Sequence, residues 1–122
     1  MLERMENEYA EEARQRWGDT EAYQQSQRRA ATYTDEDWAR IKAEAGDITA
    51  RFTALKESGA PADSPSAIAL AEEHRAHISR WFYDCPKDLH RGLGDLYVSD
   101  DRFRRNYPDG VAEYIHDAIH AA

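Results

Sequence analysis

One stretch constrains this chain more than any other. Trp38, Ile41, Ala45, Ile48, Phe52 and Leu55 recur at steps of three and four, the period of a helix that buries one face. Thr34, followed by Asp35, Glu36 and Asp37, supplies an N-cap and three acids where the helix dipole favours them, and Gly59 and Pro61 end the run. A helix of this length needs partners for its stripe, and the rest of the chain offers them at the same period. Ser64-Pro65 reads as a cap with proline at the first helical position, ahead of Ile68, Ala71, Ile78, Trp81 and Phe82. Pro86 breaks that segment and starts another, in which Leu89, Leu93, Leu96 and Tyr97 line up. Ser99, with Asp100 and Asp101, caps a short turn carrying Phe103. Pro108-Asp109-Gly110 then opens a last helix with Val111, Tyr114, Ile115, Ala118 and Ile119 inward.

The N-terminal third is different. Leu2, Met5, Tyr9, Ala13 and Trp17 make a thin stripe that Gly18 can end, and Asp19 or Thr20 can cap a second segment reaching about Arg29. Beyond Ala22 and Tyr23 that second segment has little to bury. Residues 1–33 are therefore expected to act as N-terminal lid helices over a helical core of residues 34–122, the two together forming one domain.

Composition fixes the class as all-α. Val occurs only twice in 122 residues while Ala, Glu, Arg and Gln abound, which favours helix over sheet. Thirteen aromatic residues nearly match the fourteen Ile, Leu and Val, so the interior must be rich in rings, and rings line pockets well. The net charge of −8 opposes non-specific contact with phosphate backbones or anionic membranes. The single cysteine, Cys85, excludes an internal disulfide and a cysteine-based zinc cage and suits a reducing, cytoplasmic setting. No stretch approaches the roughly 20 apolar residues of a membrane span, and the acidic N-terminus does not read as a signal peptide.

Among chemical motifs, the histidines raise a metal or haem reading. His74 and His77 are three apart and His116 and His120 four apart, so each pair can share a helix face. Two nitrogens do not make a site, however; a third ligand such as His90 or a carboxylate has to converge from another helix. Of the two pairs, the C-terminal one is the better placed to meet a metal, while a haem or metal protein using His74, His77 or His90 is the alternative class. The sequence contains no nucleophile elbow, phosphate-binding glycine loop or His-Glu-x-x-His pattern. A triplet such as Glu72, Glu73 and His74 is ordinary for a helix surface, so no catalytic residue, metal ligand or cofactor is assigned.

The most informative run is Arg80-Trp81-Phe82-Tyr83-Asp84-Cys85-Pro86-Lys87-Asp88-Leu89-His90. Successive helical residues are about 100° apart, so three consecutive rings cannot all face one core. They read either as a plugged helix corner or as a pocket wall with Asp84 and His90 as its polar anchors. Tyrosines in or beside nearly every predicted helix extend the same theme.

Four ordered segments resemble the TipA-type antibiotic-recognition domain: Trp17-Gly18-Asp19-Thr20-Glu21-Ala22-Tyr23, Tyr33-Thr34-Asp35-Glu36-Asp37-Trp38, Tyr83-Asp84-Cys85, and Leu96-Tyr97-Val98-Ser99-Asp100-Asp101-Arg102-Phe103. The resemblance covers about Glu11 to Ile119. It implies a globin-like bundle that holds thiopeptides or other large antibiotics in a cleft, with N-terminal helices that order on binding. It also implies a place either as the C-terminal half of a MerR-type activator or alone as a drug-sequestering protein. The DNA-binding half of such an activator has no counterpart here, so no nucleic acid is expected through this domain. Where a thiopeptide-capturing member carries a reactive cysteine, seven residues after the one matching Cys85, this chain has Gly92, which favours reversible binding. Gly92 and Gly94 instead widen the cleft or let helices approach.

Together, the residues and the resemblance assign ligand contact to Trp17, Tyr23, Trp38, His77, Trp81, Phe82, Tyr83, Asp84, Cys85, Leu89, His90, Gly92, Leu93, Leu96, Tyr97, Phe103 and Tyr114. A third class, a helical interaction module pairing through the Leu2 to Trp17 stripe, stands as the non-ligand alternative.

Overall fold

A computed structural model describes residues 20–105 and 107–122, apart from the side chain of Arg102, and every described element is helical. The stripe from Leu2 to Trp17 and its stop at Gly18 lie outside the described residues. Helix α1 is Glu21–Ala30, α2 is Asp35–Glu57, α3 is Pro65–Trp81, α4 is Lys87–Ser99, α5 is the single turn Asp101–Arg104, and α6 is Val111–Ala121.

The starts of these helices follow local chemistry. Thr20 caps α1, its hydroxyl accepting from Tyr23 N at 3.2 Å. Thr34 and Asp37 form a reciprocal capping box on α2, with Asp37 N to Thr34 Oγ1 at 3.2 Å and Thr34 N to Asp37 Oδ2 at 3.0 Å. Ser64 caps α3 ahead of Pro65, and Pro86 precedes α4. Two glycines hold left-handed backbone where the chain turns: Gly59 after α2, at φ 83°, and Gly110 before α6, at φ 79°.

Helix α6 is the hub. It packs against α2, α3 and α4, and six of its eleven residues are buried: Val111, Ala112, Tyr114, Ile115, Ala118 and Ile119. Around it the core takes Ile48 and Phe52 from α2 and Ala67, Leu70 and Ala71 from α3. Helix α1 buries no residue and touches α3. It is held there by polar groups: Arg29 Nη1 donates to the Ser79 carbonyl at 2.6 Å, Arg29 Nη2 reaches Asp84 Oδ1 at 3.3 Å, and Gln25 Oε1 accepts from Asp84 N at 2.9 Å.

Several details depart from the expected stripes. On α2, Ile41, Ile48 and Phe52 are buried, but Ala45 is exposed and Trp38 remains 42% exposed. On α3, Ala67 and Leu70 join the core while Ile68 and Phe82 are only half-buried. The α4 face is rotated by one residue, because His90 and Gly94 point inward and Leu89, at 36% exposure, does not. At Gly94 an added Cβ would meet the Ile119 side chain at 3.4 Å, an ordinary van der Waals contact, so this face of α4 lies directly against α6. Ser99 closes α4 instead of capping the next turn, and α5 starts from Asp100, whose carbonyl accepts from Arg104 N at 3.1 Å.

Two glycine substitutions test this account by urea denaturation. Gly46 lies inside α2 with open space around an added Cβ, so Gly46→Ala is expected to raise stability by about 0.5–1 kcal/mol. Gly110→Ala should lower it by roughly 1–2 kcal/mol, because the left-handed backbone at φ 79° strains any side chain, while the exposed end of Lys56, 2.8 Å from the new Cβ, can move aside.

Candidate functional site

The three consecutive rings at the end of α3 separate as their angular spacing demands. Trp81 is 7% exposed and turns inward, its Nε1 donating to Glu44 Oε1 on α2 at 2.8 Å. Tyr33 meets it edge-on at 5.5 Å, donates its hydroxyl to the Trp81 carbonyl, and meets Trp38 edge-on at 5.6 Å. Phe82 stays half-buried with its ring 6.4 Å from His77. Tyr83 is half-buried, and burial with the nearby Cys85 pushes its hydroxyl above the ordinary tyrosine range.

A second ring assembly runs through the core. Tyr114 lies against Phe52 at 6.3 Å, Phe52 against His74 at 6.5 Å, and His74 against Tyr97 at 6.0 Å. Tyr97 in turn meets Phe103 at 5.8 Å and Tyr107 at 6.0 Å. The Tyr114 hydroxyl donates to the Ala60 carbonyl at 2.9 Å, which latches α6 to the loop after α2. At the centre, His74 Nδ1 and His90 Nε2 share a hydrogen bond of 2.8 Å between α3 and α4. One ring donates and the other accepts across this bond. Burial, then the neighbouring imidazoles, hold His74 down to about 3. Burial, then Arg75, hold His90 down to about 4 against the opposing pull of Glu72. That bond commits His74 Nδ1 and His90 Nε2 to each other across the α3–α4 contact.

Between α2 and α3 a cavity of about 290 Å³ is lined by Glu44, Asp47, Ile48, Arg51, Glu73, Ala76, His77 and Arg80. His77 has 8% of its side chain exposed, and its buried Nε2 lacks a hydrogen-bond partner, lying 3.5 Å from Glu44 Oε1. Across the same region Arg51 clamps Glu73 with two bonds, at 2.8 and 2.5 Å.

Helix α4 carries two apolar stripes side by side. His90, Gly94 and Tyr97 face the bundle, while Leu89, Leu93 and Leu96 form an adjacent stripe that is exposed at Leu89 and half-buried at the other two. This second stripe begins at the α3–α4 corner, just after Phe82 and Tyr83. Gly92 is exposed, and an added Cβ there would meet nothing within 4 Å. Cys85 is 3% exposed, with its thiol pushed up to about 11 by burial, to which Asp88 adds and which Arg75 opposes. Its backbone is fixed on both sides, N to Ser79 Oγ at 3.1 Å and O to Arg75 Nη1 at 3.1 Å.

The residues singled out from sequence thus fall into groups. His90, Tyr97, Phe103 and Tyr114 join the core rings, Trp38 and Trp81 share Tyr33, and His77 pairs with Phe82. Leu89, Leu93 and Leu96 form the open stripe. Tyr23 is half-buried on α1, Asp84 is exposed and tied to Arg29, and Trp17 lies outside the described residues. Sequence reasoning missed Glu44 and Phe52 as members of these assemblies. Phe52 was legible as a core position, but nothing local marks Glu44 as the acceptor for a tryptophan 37 residues away.

Comparison with known proteins places these features in context. The family model of the TipAS antibiotic-recognition domain matches residues 9–122. The HTH-type transcriptional activator TipA of Streptomyces coelicolor is 51% identical over 116 residues, which is 93% of this chain and 46% of that protein. The HTH-type transcriptional activator mta of Bacillus subtilis is 34% identical over 121 residues, 97% of this chain and 46% of that protein. The chain therefore spans about half the length of the curated relatives it matches. Among solved structures, TipAS of Streptomyces lividans in complex with the thiopeptide nosiheptide superposes with a TM-score of 0.87 at 50% identity, covering 94% of this chain and 82% of that one.

The buried imidazoles make stability depend on pH. With their native values depressed below the ordinary 6.5, the folded state binds fewer protons than the unfolded chain. Their contribution is complete above about pH 6.5 and is lost as pH falls towards about 4, at up to roughly 1.4 kcal/mol per pH unit for each ring. His116, raised by Asp117 and Asp95, acts in the opposite sense but is largely solvent-screened. Urea midpoints should fall steadily between pH 6.5 and 4.5, above the range where carboxylates dominate, and a flat profile there would contradict the neutral pair.

Proposed function

The chain belongs to the TipAS antibiotic-recognition domain family, and from that premise we propose that it binds large, mostly apolar antibiotics of the thiopeptide kind, for sensing or sequestration. The observation that carries this reading is the half-open Leu89, Leu93 and Leu96 stripe beside Phe82 and Tyr83. It is an apolar surface on a helix whose inward face is already satisfied. A polycyclic peptide lies along such a stripe by apolar burial and stacking, with few polar anchors. Residues 1–33 act as the lid over residues 34–122. In support, α1 buries no residue and is held by Arg29 and Gln25, contacts that exchange readily with water and ligand.

The role is binding, not catalysis, and the setting is cytoplasmic. No described helix is long and apolar enough to cross a membrane. Contact with DNA belongs to another segment, such as the DNA-binding part of an HTH-type activator, since the −8 charge of this chain opposes it. Binding is reversible. The one thiol of the chain is buried and held as the protonated form at neutral pH, so it does not add to a dehydroamino acid.

Nosiheptide titration is expected to quench the fluorescence of the three tryptophans and to raise the helix signal in circular dichroism. Leu93→Asp, at a half-buried position, should weaken binding at least tenfold, as burying an unpaired carboxylate costs more than about 1.4 kcal/mol. An unquenched spectrum across nosiheptide and related thiopeptides would remove the proposal. Under denaturing mass spectrometry the wild-type chain should carry no ligand mass. Gly92→Cys, with room for its side chain, should gain one ligand by addition of its thiolate across the dehydroamino acid double bond, with a proton delivered to the α-carbon.

A further inference from the structure

Three side chains from two helices converge on one point at the surface of the α4–α6 pair. His116 and His120 stand one turn apart on α6 with ring centroids 4.4 Å apart. Asp95 reaches between them from α4, its Oδ1 lying 3.0 Å from His116 Nε2 and 2.8 Å from His120 Nε2. The far side of His116 carries a second carboxylate. Its Nδ1 lies 2.9 Å from Asp117 Oδ1. A carboxylate at Nδ1 takes a ring N–H there and so lets Nε2, the atom turned towards Asp95 and His120, serve as a metal ligand. Metal-bound imidazoles are oriented by the same kind of outer carboxylate. Both ring nitrogens of His116 face carboxylate oxygens, so the metal-free ring carrying two protons donates to both, and a divalent cation takes the place of the Nε2 proton.

We propose that Asp95, His116 and His120 form a binding site for a divalent transition metal, with Zn²⁺ as the fitting ion and Asp117 as the residue that positions His116. Two imidazole nitrogens and one carboxylate oxygen suit Zn²⁺ better than Mg²⁺ or Ca²⁺, which prefer oxygen alone. The three candidate ligand atoms lie within 4.8 Å of one another. A tetrahedral zinc ion with bonds of about 2.0–2.1 Å needs them about 3.4 Å apart, a spacing that side-chain rotation at these partly exposed positions reaches. Side-chain exposures of 28% for His116, 38% for His120 and 62% for Asp95 leave an entry path and room for water at the fourth position. The bound ion joins α4 to α6 next to the Gly94–Ile119 contact. The site is independent of the antibiotic reading, sharing no residue with the Leu89, Leu93 and Leu96 stripe.

The test is calorimetric titration of the EDTA-treated, dialysed chain with zinc chloride alone. It should give one equivalent bound at micromolar concentration, a higher melting temperature, and shifted imidazole resonances for His116 and His120 but not for His74 and His90. Asp95→Asn and the double variant His116→Gln with His120→Gln should each weaken zinc binding at least tenfold. Asp117→Asn should weaken it by roughly 10- to 100-fold while leaving the metal-free melting temperature unchanged, an effect a purely structural role would not produce. Absence of stoichiometric zinc binding, or undiminished binding by the double histidine variant, would overturn the proposal.

Discussion

The bundle depends on the burial of α6. Val111, Ala112, Tyr114, Ile115, Ala118 and Ile119 give it an apolar surface too wide for one partner, so α2, α3 and α4 are all drawn onto it. Helix α4 meets it through the face that carries His90 and Gly94, with Ile119 beside Gly94. That orientation brings His90 to His74 and leaves a leucine stripe at the edge of the bundle. The geometry of the candidate binding surface thus originates in packing on the opposite side of α4.

Rings do much of the filling in a chain with so few branched aliphatics. They tile the interior edge to face, and each polar ring atom then requires a partner. Tyr114 finds the loop carbonyl of Ala60, Trp81 finds Glu44, and His74 and His90 find each other. These bonds join elements distant in sequence and fix relative orientation where apolar contact alone would tolerate sliding. Cys85 is held in the same manner, its backbone pinned by Ser79 and Arg75, which keeps an otherwise reactive group quiet inside the α3–α4 corner.

Helix starts and the α6 face were legible because their causes are local: the Thr34 capping box, Ser64 before Pro65, and Gly110 before Val111 act within a turn. The inward face of α4 was not, since periodicity selects Leu89, Leu93 and Leu96 as the largest apolar set, whereas the packed bundle turns His90 and Gly94 inward. The histidine pair was equally hidden, because its two members lie 16 positions apart and neither has a local reason to be neutral. For the candidate site, the sequence marked the aromatic corner and the leucines. It did not distinguish rings committed to the core, such as Tyr114, from those at the surface, such as Phe82, a distinction that only the packed bundle makes.

Helix α1 is joined to the rest by a different kind of force. Its links to Ser79 and Asp84 are ionic or amide hydrogen bonds, and no residue of it is buried, whereas every other long helix is held by apolar area. Apolar burial carries a large heat-capacity change and polar attachment does not. The two therefore respond differently to temperature and salt: added electrolyte weakens the hold on α1 while leaving the bundle's grip on α6 intact. Ionic strength thus acts on the Arg29–Asp84 link of α1 and spares the apolar core.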